Sequence, residues 1–119
     1  MILRTDGGYG EVTVSNAVVA QVAGQAASRC YGVVGMASQK ALKDGLYELL
    51  KRENYSRGVI VEDGETGINV DVYIIVGYGM KISEIVYEVQ KKVKYVLETT
   101  LDIEISAINV YVQGVSVIA

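Results

Sequence analysis

The chain has 119 residues and a net charge of −3, with half of its residues hydrophobic and 21% charged, which is typical of one globular domain and not of a disordered segment. A single cysteine excludes an internal disulfide, and the absence of histidine removes the commonest general base and metal ligand. The acidic balance gives no broad positive field for nucleic acid or anionic lipid. We therefore expect a single cytoplasmic domain over residues 1–119, in which no apolar run reaches the ~20 residues of a membrane span.

The N-terminal half is predicted to contain one strand and two helices. Period-two alternation indicates a strand at 8–14, after which Ser15 or Asn16 caps a helix that runs to Cys30. Its inward stripe consists mostly of small residues, and Gly24 is expected to serve close packing there. Residues 31–38 are predicted to be a glycine-punctuated connection in which Gly32 ends the helix in a left-handed conformation. A second helix is predicted at 40–53, and its inward residues are Leu42, Leu46, Leu49 and Leu50.

The C-terminal half is organised around a strand that leads into a long helix. From residue 57 the period changes to two, and Asp63, Gly64 and Gly67 indicate a hairpin turn before a second alternating run at 68–76. After a short glycine turn, apolar residues recur at three- and four-residue steps through 82–100, which predicts an amphipathic helix. A last strand is predicted at 102–118.

The predicted order is therefore β-α-α-β-β-α-β, and it indicates an α+β fold with two layers, one mixed sheet packed against helices. The last helix joins two strands by a crossover, so these strands are expected to be parallel if they are neighbours. The order of the strands in the sheet stays open.

No group of residues has the pattern of a catalytic or ligand site. Gly77-Tyr78-Gly79-Met80-Lys81 lies between a strand and a helix but lacks the third glycine of a dinucleotide fingerprint and the Gly-Lys-Ser/Thr of a P-loop, so we interpret it as a tight turn. Cys30 is expected to be a buried small hydrophobe. The acidic pairs are interpreted as solvated surface: Asp44 with Glu48, Glu84 with Glu88, and Asp102 with Glu104. The turn acids Glu62, Asp63 and Glu65 lack the spacing of a calcium loop. We predict no catalytic, cofactor-binding or metal-binding residue and no enzymatic activity.

The segment Gly32-Val33-Val34-Gly35-Met36 has two interpretations. A KH module has a β-α-α-β-β-α order and clamps single-stranded nucleic acid with a GxxG loop at this position, so a KH-like module is the alternative hypothesis. The residues between these glycines are valines, and few basic side chains lie nearby. We therefore favour either a packed corner or a candidate interaction loop for protein docking, and no nucleic acid is expected as a partner.

Seven blocks in order resemble the alkaline shock protein 23 / general stress protein 24 family, the envelope stress response proteins. They cover the chain from about residue 8 to 117 and are Gly10-Glu-Val-Thr-Val-Ser15, Gly32-Val-Val-Gly-Met36, Arg57-Gly-Val-Ile-Val61, Val76-Gly-Tyr-Gly79, Ile82-Ser-Glu-Ile-Val86, Gln90 and Ile108-Asn-Val-Tyr-Val-Gln-Gly-Val115. Two further stretches, Cys30-Tyr-Gly-Val-Val-Gly-Met-Ala37 and Lys91-Lys-Val-Lys-Tyr95, resemble the short members found in Gram-positive bacteria.

This resemblance implies a non-enzymatic cytoplasmic scaffold or interaction protein linked to the cell envelope and to stress. It implies self-association into a homo-oligomer, and an envelope- or lipid-metabolism-linked protein partner. Contact with a membrane is expected to be peripheral or through that partner. The family has no established catalytic residues, and none is carried over to this chain.

Overall fold

The computed structural model describes residues 2–4, 11–38 and 49–117, with side chains from residue 14 onward. Its elements are β1 (Ile2–Arg4), β2 (Glu11–Thr13), α1 (Asn16–Ser28), β3 (Val33–Met36), a 3₁₀ helix (Arg52–Gly58), β4 (Val59–Asp63), β5 (Ile68–Gly77), α2 (Ile82–Leu101) and β6 (Ile105–Ser116). β1 and β2 form a separate antiparallel pair, and the other four strands form one mixed sheet. The predicted α+β class with one mixed sheet and a helical layer is confirmed.

β5 is the central strand of the mixed sheet. On one edge it pairs antiparallel with β4 through Ile68–Val72 and with β3 through Ile74–Val76. On its other edge it pairs with β6 along its whole length, and this pairing is parallel. The predicted hairpin and the predicted parallel pair across the last helix are both confirmed. In the hairpin turn, Gly67 has the positive φ, at 147°.

The core lies between the sheet and helices α1 and α2. The even-numbered residues of β5 from Ile68 to Val76 are buried, and they face the buried stripe of α2, which consists of Ile85, Val89, Val93 and Leu97. α1 presents small residues to the same core, as predicted, and its N-cap Ser15 accepts a hydrogen bond from the Val18 N–H at 3.2 Å. Alternation along β5 and helical periodicity along α2 therefore produce two faces that cover each other.

The other face of the sheet carries two cross-strand pairs between β5 and β6. The ring of Tyr73 stacks on that of Tyr111, with centroids 4.8 Å apart and planes inclined by 13°. One step along the same face, the Asn109 amide donates to Asp71 Oδ1 at 2.9 Å. These pairs fix the register of β5 and β6 on the face of the sheet opposite α1 and α2.

The predicted connection at 31–38 is wrong over its middle four residues, because Val33–Met36 form strand β3. Gly32 has φ +89°, and this left-handed residue turns the chain so that Val33 pairs with Val76. The left-handed conformation of Gly32 is thus confirmed, but α1 ends earlier, at Ser28. A glycine within the four-residue strand and a register shift between Val33 and Gly35 conceal its period of two.

Two further elements differ from the predictions. The predicted strand 8–14 is observed as β2 at Glu11–Thr13, its first residues lie outside the described part of the chain, and β1 was not predicted. Of the predicted helix 40–53, residues 40–48 lie outside the described residues. Residues 49–53 are not α-helical: Leu49 forms an isolated bridge with Ala37, and a 3₁₀ helix starts at Arg52. The Leu50 N–H donates to the Met36 carbonyl at 2.8 Å, which holds this stretch extended beside β3.

Candidate functional site

An apolar cavity of about 390 Å³ lies at the end of the mixed sheet where β5 finishes. We call it the end cavity. It is lined by Tyr31, Gly32, Val33, Val34, Gly77, Tyr78, Met80, Ser116 and Val117. None of these described lining residues is charged. Its volume lies within the usual range for ligand pockets, and its lining is dominated by apolar and aromatic side chains, as in such pockets.

Main-chain hydrogen bonds between three segments build this cavity. The Gly77 N–H donates to the Gly32 carbonyl at 3.0 Å, which joins the end of β5 to the turn before β3. The Tyr78 N–H donates to the Ser116 carbonyl at 2.8 Å, which joins the turn after β5 to the end of β6. The walls are therefore held by main-chain bonds, which do not depend on side-chain conformation.

Glycine is favoured at position 32 for two physical reasons. Its φ of +89° favours glycine, and a Cβ there would lie 2.6 Å from Cδ1 of Ile85 on α2. The first turn of α2 thus packs directly beneath the turn that lines the cavity. At the next turn, Gly79 also has a positive φ, but a Cβ on it would meet nothing within 4 Å.

The rim of the cavity exposes large apolar side chains. Tyr31 is 86% exposed, Tyr78 75% and Val117 77%, and Val34 is 46% exposed. Single exposed apolar residues are ordinary on protein surfaces, but contiguous apolar groups mark interaction sites. The arrangement can bind an apolar group and can orient it through tyrosine hydroxyls.

The five predicted interaction residues separate into two groups. Gly32, Val33 and Val34 line the end cavity, and Val34 is the most exposed of them. Gly35 is buried beneath Leu49, and Met36 is fully buried in the core with 0% exposure. The cavity also contains Tyr31, Tyr78, Met80 and Val117, which the sequence interpretation did not assign to a site. The sequence feature that could have indicated these residues is the predicted parallel pairing of β5 and β6, because it brings residues 77–80 and 116–117 to one end of the sheet.

The GxxG segment of the KH hypothesis has a different setting from a loop that clamps nucleic acid. Gly32 lies in a turn, while Val33 to Gly35 belong to a strand paired with β5. Gly35 packs against the side chain of Leu49, 3.0 Å from the position that its Cβ would occupy. Part of the main chain of this segment is thus engaged in the sheet.

The remaining sequence candidates lie on the surface. Glu84 and Glu88 are exposed, and each pairs with a lysine one turn away: Lys81 at 3.6 Å and Lys91 at 3.9 Å. Asp102, Glu104 and the acids of the β4–β5 turn are exposed too. The pair Asp44 and Glu48 lies outside the described residues. Within the part of the chain that the structure describes, no three acids, cysteines or histidines are grouped to hold a metal ion.

Cys30 lies between the two α helices and is partly buried. Its Sγ is 3.6 Å from the Ala26 carbonyl oxygen and 3.9 Å from that of Glu88. Burial raises the pKa of the Cys30 thiol; Lys92 opposes this shift and the Glu88 carboxylate adds to it. A thiol with a raised pKa is a weak nucleophile at neutral pH, which agrees with the predicted structural role.

Comparison with known proteins assigns the chain to a family. The sequence model of the alkaline shock protein 23 family, whose description is "cell envelope-related function", matches residues 4–117. The chain belongs to this family. The match covers almost every residue that the structure describes, so the mixed sheet, both α helices and the end cavity all lie within the family domain.

Three proteins of Bacillus subtilis and Streptococcus pyogenes are similar to the chain. The chain is 53% identical to an uncharacterized protein of Bacillus subtilis, YloU, over 97% of this chain and 94% of the relative. It is 45% identical to an uncharacterized protein of Streptococcus pyogenes, Spy1614, over 92% and 90% of the two chains. A second Bacillus subtilis protein, YqhY, is 31% identical over 89% and 77%. Neither the family description nor these names gives an enzymatic activity.

No solved structure shows a significant match to the chain. Among the described helices, none is both long enough and apolar enough to cross a bilayer.

Proposed function

We infer that this protein is a non-catalytic interaction or scaffold protein of the cell envelope, which self-associates and docks an envelope- or lipid-metabolism-linked protein through the end cavity. The observation that carries this proposal is the apolar rim of Tyr31, Val34, Tyr78 and Val117 around an uncharged cavity. The family description supplies the envelope link. In this proposal the protein is cytoplasmic and meets the membrane through its partner.

The docking role is supported by the way the rim is built. Exposed aromatic side chains on a rigid support are common anchors at protein interfaces, because they contribute a large contact area with little loss of conformational entropy. The Tyr78 N–H itself donates to the Ser116 carbonyl of β6, and Val34 lies in a strand paired to β5. The rim is thus presented by the sheet itself, which reduces the entropy lost when a partner binds.

The test is affinity capture of the tagged protein from its own host, with protein and RNA both identified. Val34→Asp and Tyr78→Ser change the exposed rim, and Tyr95→Ser is the matched control because Tyr95 is exposed on α2 away from the cavity. We expect an envelope- or lipid-metabolism-linked protein to be captured by the unaltered chain and by Tyr95→Ser, and to be lost from both rim variants. Thermal unfolding of each variant shows that its fold is retained.

Two results would contradict the proposal. If both rim variants capture the same partner as the unaltered chain, the end cavity is not the docking site. If RNA is enriched and is released by moderate salt, the steep salt dependence of phosphate contacts would favour the KH-like alternative instead.

A further inference from the structure

In the described part of the chain, the outer edge of β6 is open to a further strand between Ile105 and Val112. β6 is 12 residues long and pairs with β5 along one edge. No strand among the described residues pairs with its other edge. The sequence from Ile105 to Val117 contains no charged residue. A long, uncharged edge strand is a template for pairing with another chain.

The ladder between β5 and β6 shows which main-chain groups face outward. In each pair of a parallel ladder only one of the two residues bonds to the opposite strand, and this role alternates along the strand. The Ile68 N–H bonds to the Glu104 carbonyl and the Tyr78 N–H to the Ser116 carbonyl, while the Tyr73 carbonyl bonds toward β3. The even-numbered residues of β5 therefore face β6. Their partners in register turn outward; between the two register shifts these are Ile108, Val110 and Val112.

A side-chain contact agrees with this assignment. The Gln90 amide of α2 donates to the Ile108 carbonyl at 3.1 Å, and Gln90 lines an open cavity of about 260 Å³ between α2 and residues 105–108 of β6. A carbonyl that faced β5 would lie inside the sheet and away from this cavity. Since a carbonyl oxygen has two lone pairs, it can accept from Gln90 and from a second strand.

Charge distinguishes this edge from the opposite edge of the sheet. Exposed edge strands usually carry charges that prevent pairing, and β4 ends in the exposed residues Glu62 and Asp63. β6 has none, so an antiparallel copy of the same strand meets no like charge along its length. A second copy of this chain is for that reason the occupant that the edge fits, whereas β4 is protected against continued growth of the sheet.

We propose that β6 of one protein pairs antiparallel with β6 of a second copy about a two-fold axis at Val110, giving a continuous sheet across a dimer. Val110 is the midpoint of the three outward residues, so this axis places Ile108 opposite the partner's Val112. All three outward residues then pair with the second copy. Each such pair exchanges two main-chain hydrogen bonds. The inference rests on the self-association in the proposed function and identifies the surface that mediates it.

The first test removes one outward donor without breaking the ladder to β5. Proline is tolerated in edge strands where its missing N–H faces outward, so Val110→Pro is expected to fold. Val110→Ala is the matched control, because it loses the same side chain and keeps the N–H. We expect Val110→Pro to weaken dimerisation by about tenfold or more, since each dimer loses two main-chain hydrogen bonds, with Val110→Ala much closer to the unaltered chain. Sedimentation equilibrium measures both constants, and urea unfolding checks the fold.

The second test does not depend on whether a proline variant folds. The proposed axis places Asn109 opposite the partner's Tyr111 in a non-hydrogen-bonded pair with Cα atoms about 4.5 Å apart, within the range for a disulfide. The distances from Asn109 to its own copy in the partner and from Tyr111 to its own copy are diagonal, about 7–8 Å, and thus too long for a disulfide. In a Cys30→Ala background, Asn109→Cys mixed with Tyr111→Cys is expected to form a disulfide-linked dimer under oxidation. Neither variant alone is expected to do so.

The outcomes separate this inference from the proposed function. Cross-linking in the mixture alone, together with loss of the dimer in Val110→Pro, supports the β6 pairing. A dimer that forms without cross-linking the mixture and is unaffected by Val110→Pro overturns the β6 pairing and leaves self-association standing. A chain that is monomeric at every concentration overturns both. The chain could also stay monomeric while the β6 variants fail to bind an extended peptide of another protein that the unaltered chain binds. In that case the edge has a different occupant and the proposed dimer is wrong.

Discussion

Tyr55 of the 3₁₀ helix lies directly against the α1 backbone at Gly24, with its Cβ 2.9 Å and its carbonyl oxygen 3.1 Å from where a Cβ on Gly24 would be. Beside this contact, the Gln21 amide donates to the Arg52 carbonyl at 3.0 Å, and its oxygen accepts from the Ser56 N–H at 3.2 Å. The glycine in the middle of α1 therefore allows the 3₁₀ helix to approach closely, and neighbouring hydrogen bonds hold it there.

Gly24→Ala is expected to destabilise the protein although alanine is the better helix former. The helical preference contributes up to ~1 kcal/mol in favour of alanine, while overpacking against a main-chain neighbour costs about 1–3 kcal/mol. We expect a net loss of about 0.5–2 kcal/mol in the free energy of unfolding, measured with urea. Gly77→Ala is the control, because its nearest neighbour would be 3.5 Å away. Equal stability of Gly24→Ala and the unaltered chain would show that the 3₁₀ helix moves freely.

Gly32→Ala and Gly79→Ala separate backbone strain from steric overlap. Both glycines have a positive φ, +89° and +81°, but only a Cβ on Gly32 would overlap Ile85. We expect Gly79→Ala to cost about 1–2 kcal/mol from the left-handed conformation alone, and Gly32→Ala to cost at least about 1 kcal/mol more because it also overpacks. Urea unfolding of the two variants gives the difference directly. Similar losses would mean that Ile85 changes rotamer at little cost.

The stacked rings of Tyr73 and Tyr111 are expected to be energetically coupled. A double-mutant cycle with Tyr73→Leu and Tyr111→Leu should give a coupling of about 0.5–1.5 kcal/mol, the usual contribution of an aromatic pair beyond its buried area. The control cycle combines Tyr73→Leu with Tyr95→Leu, because Tyr95 is exposed on α2 in the other layer. Additive losses in the tyrosine cycle would contradict a stabilising stack.

The sequence predicted the elements whose periodicity comes from one buried face. Alternation in β5 and three- and four-residue spacing in α2 both correspond to buried residues in the structure. β3 was not predicted, because four residues interrupted by Gly35 carry too short a pattern to show a period. At Leu49 and Leu50 leucine spacing suggested a helix, but the main chain bonds to Met36 instead, so tertiary pairing overrode local preference.

The candidate site was only partly predictable for a related reason. Val33 and Val34 stood out as an apolar pair between glycines, and both line the end cavity. The exposed Tyr31 and Val117 carry no local signal of their own. They reach the same cavity through the bonds that join the turn after β5 to Gly32 and to Ser116, which are long-range contacts. The outward edge of β6 likewise depends on which residues of β5 face it. The sequence of a single strand does not show which of its main-chain groups bond to a given neighbour.

The Cys30 thiol is expected to titrate at higher pH in the folded protein than in the unfolded chain. Burial raises its pKa, the positive charge of Lys92 lowers it and the negative charge of Glu88 raises it. Alkylation by iodoacetamide as a function of pH reports the thiolate fraction. We expect Glu88→Gln to move the alkylation midpoint to lower pH and Lys92→Gln to move it to higher pH. A folded-state midpoint equal to that in urea would contradict burial of the thiol.

The same shift makes stability depend on pH in a defined direction. Since the folded state holds the Cys30 proton more tightly, this contribution is fully present below the pKa of the unfolded chain. It is lost as the pH rises from that value through the folded-state pKa, because the unfolded chain then binds fewer protons. Urea unfolding across this pH range should show that the free energy of unfolding of the unaltered chain falls as the pH rises. The fall should be smaller in Cys30→Ala. A larger fall in Cys30→Ala would mean that folding lowers the pKa of the thiol and that the charge of Lys92 outweighs burial.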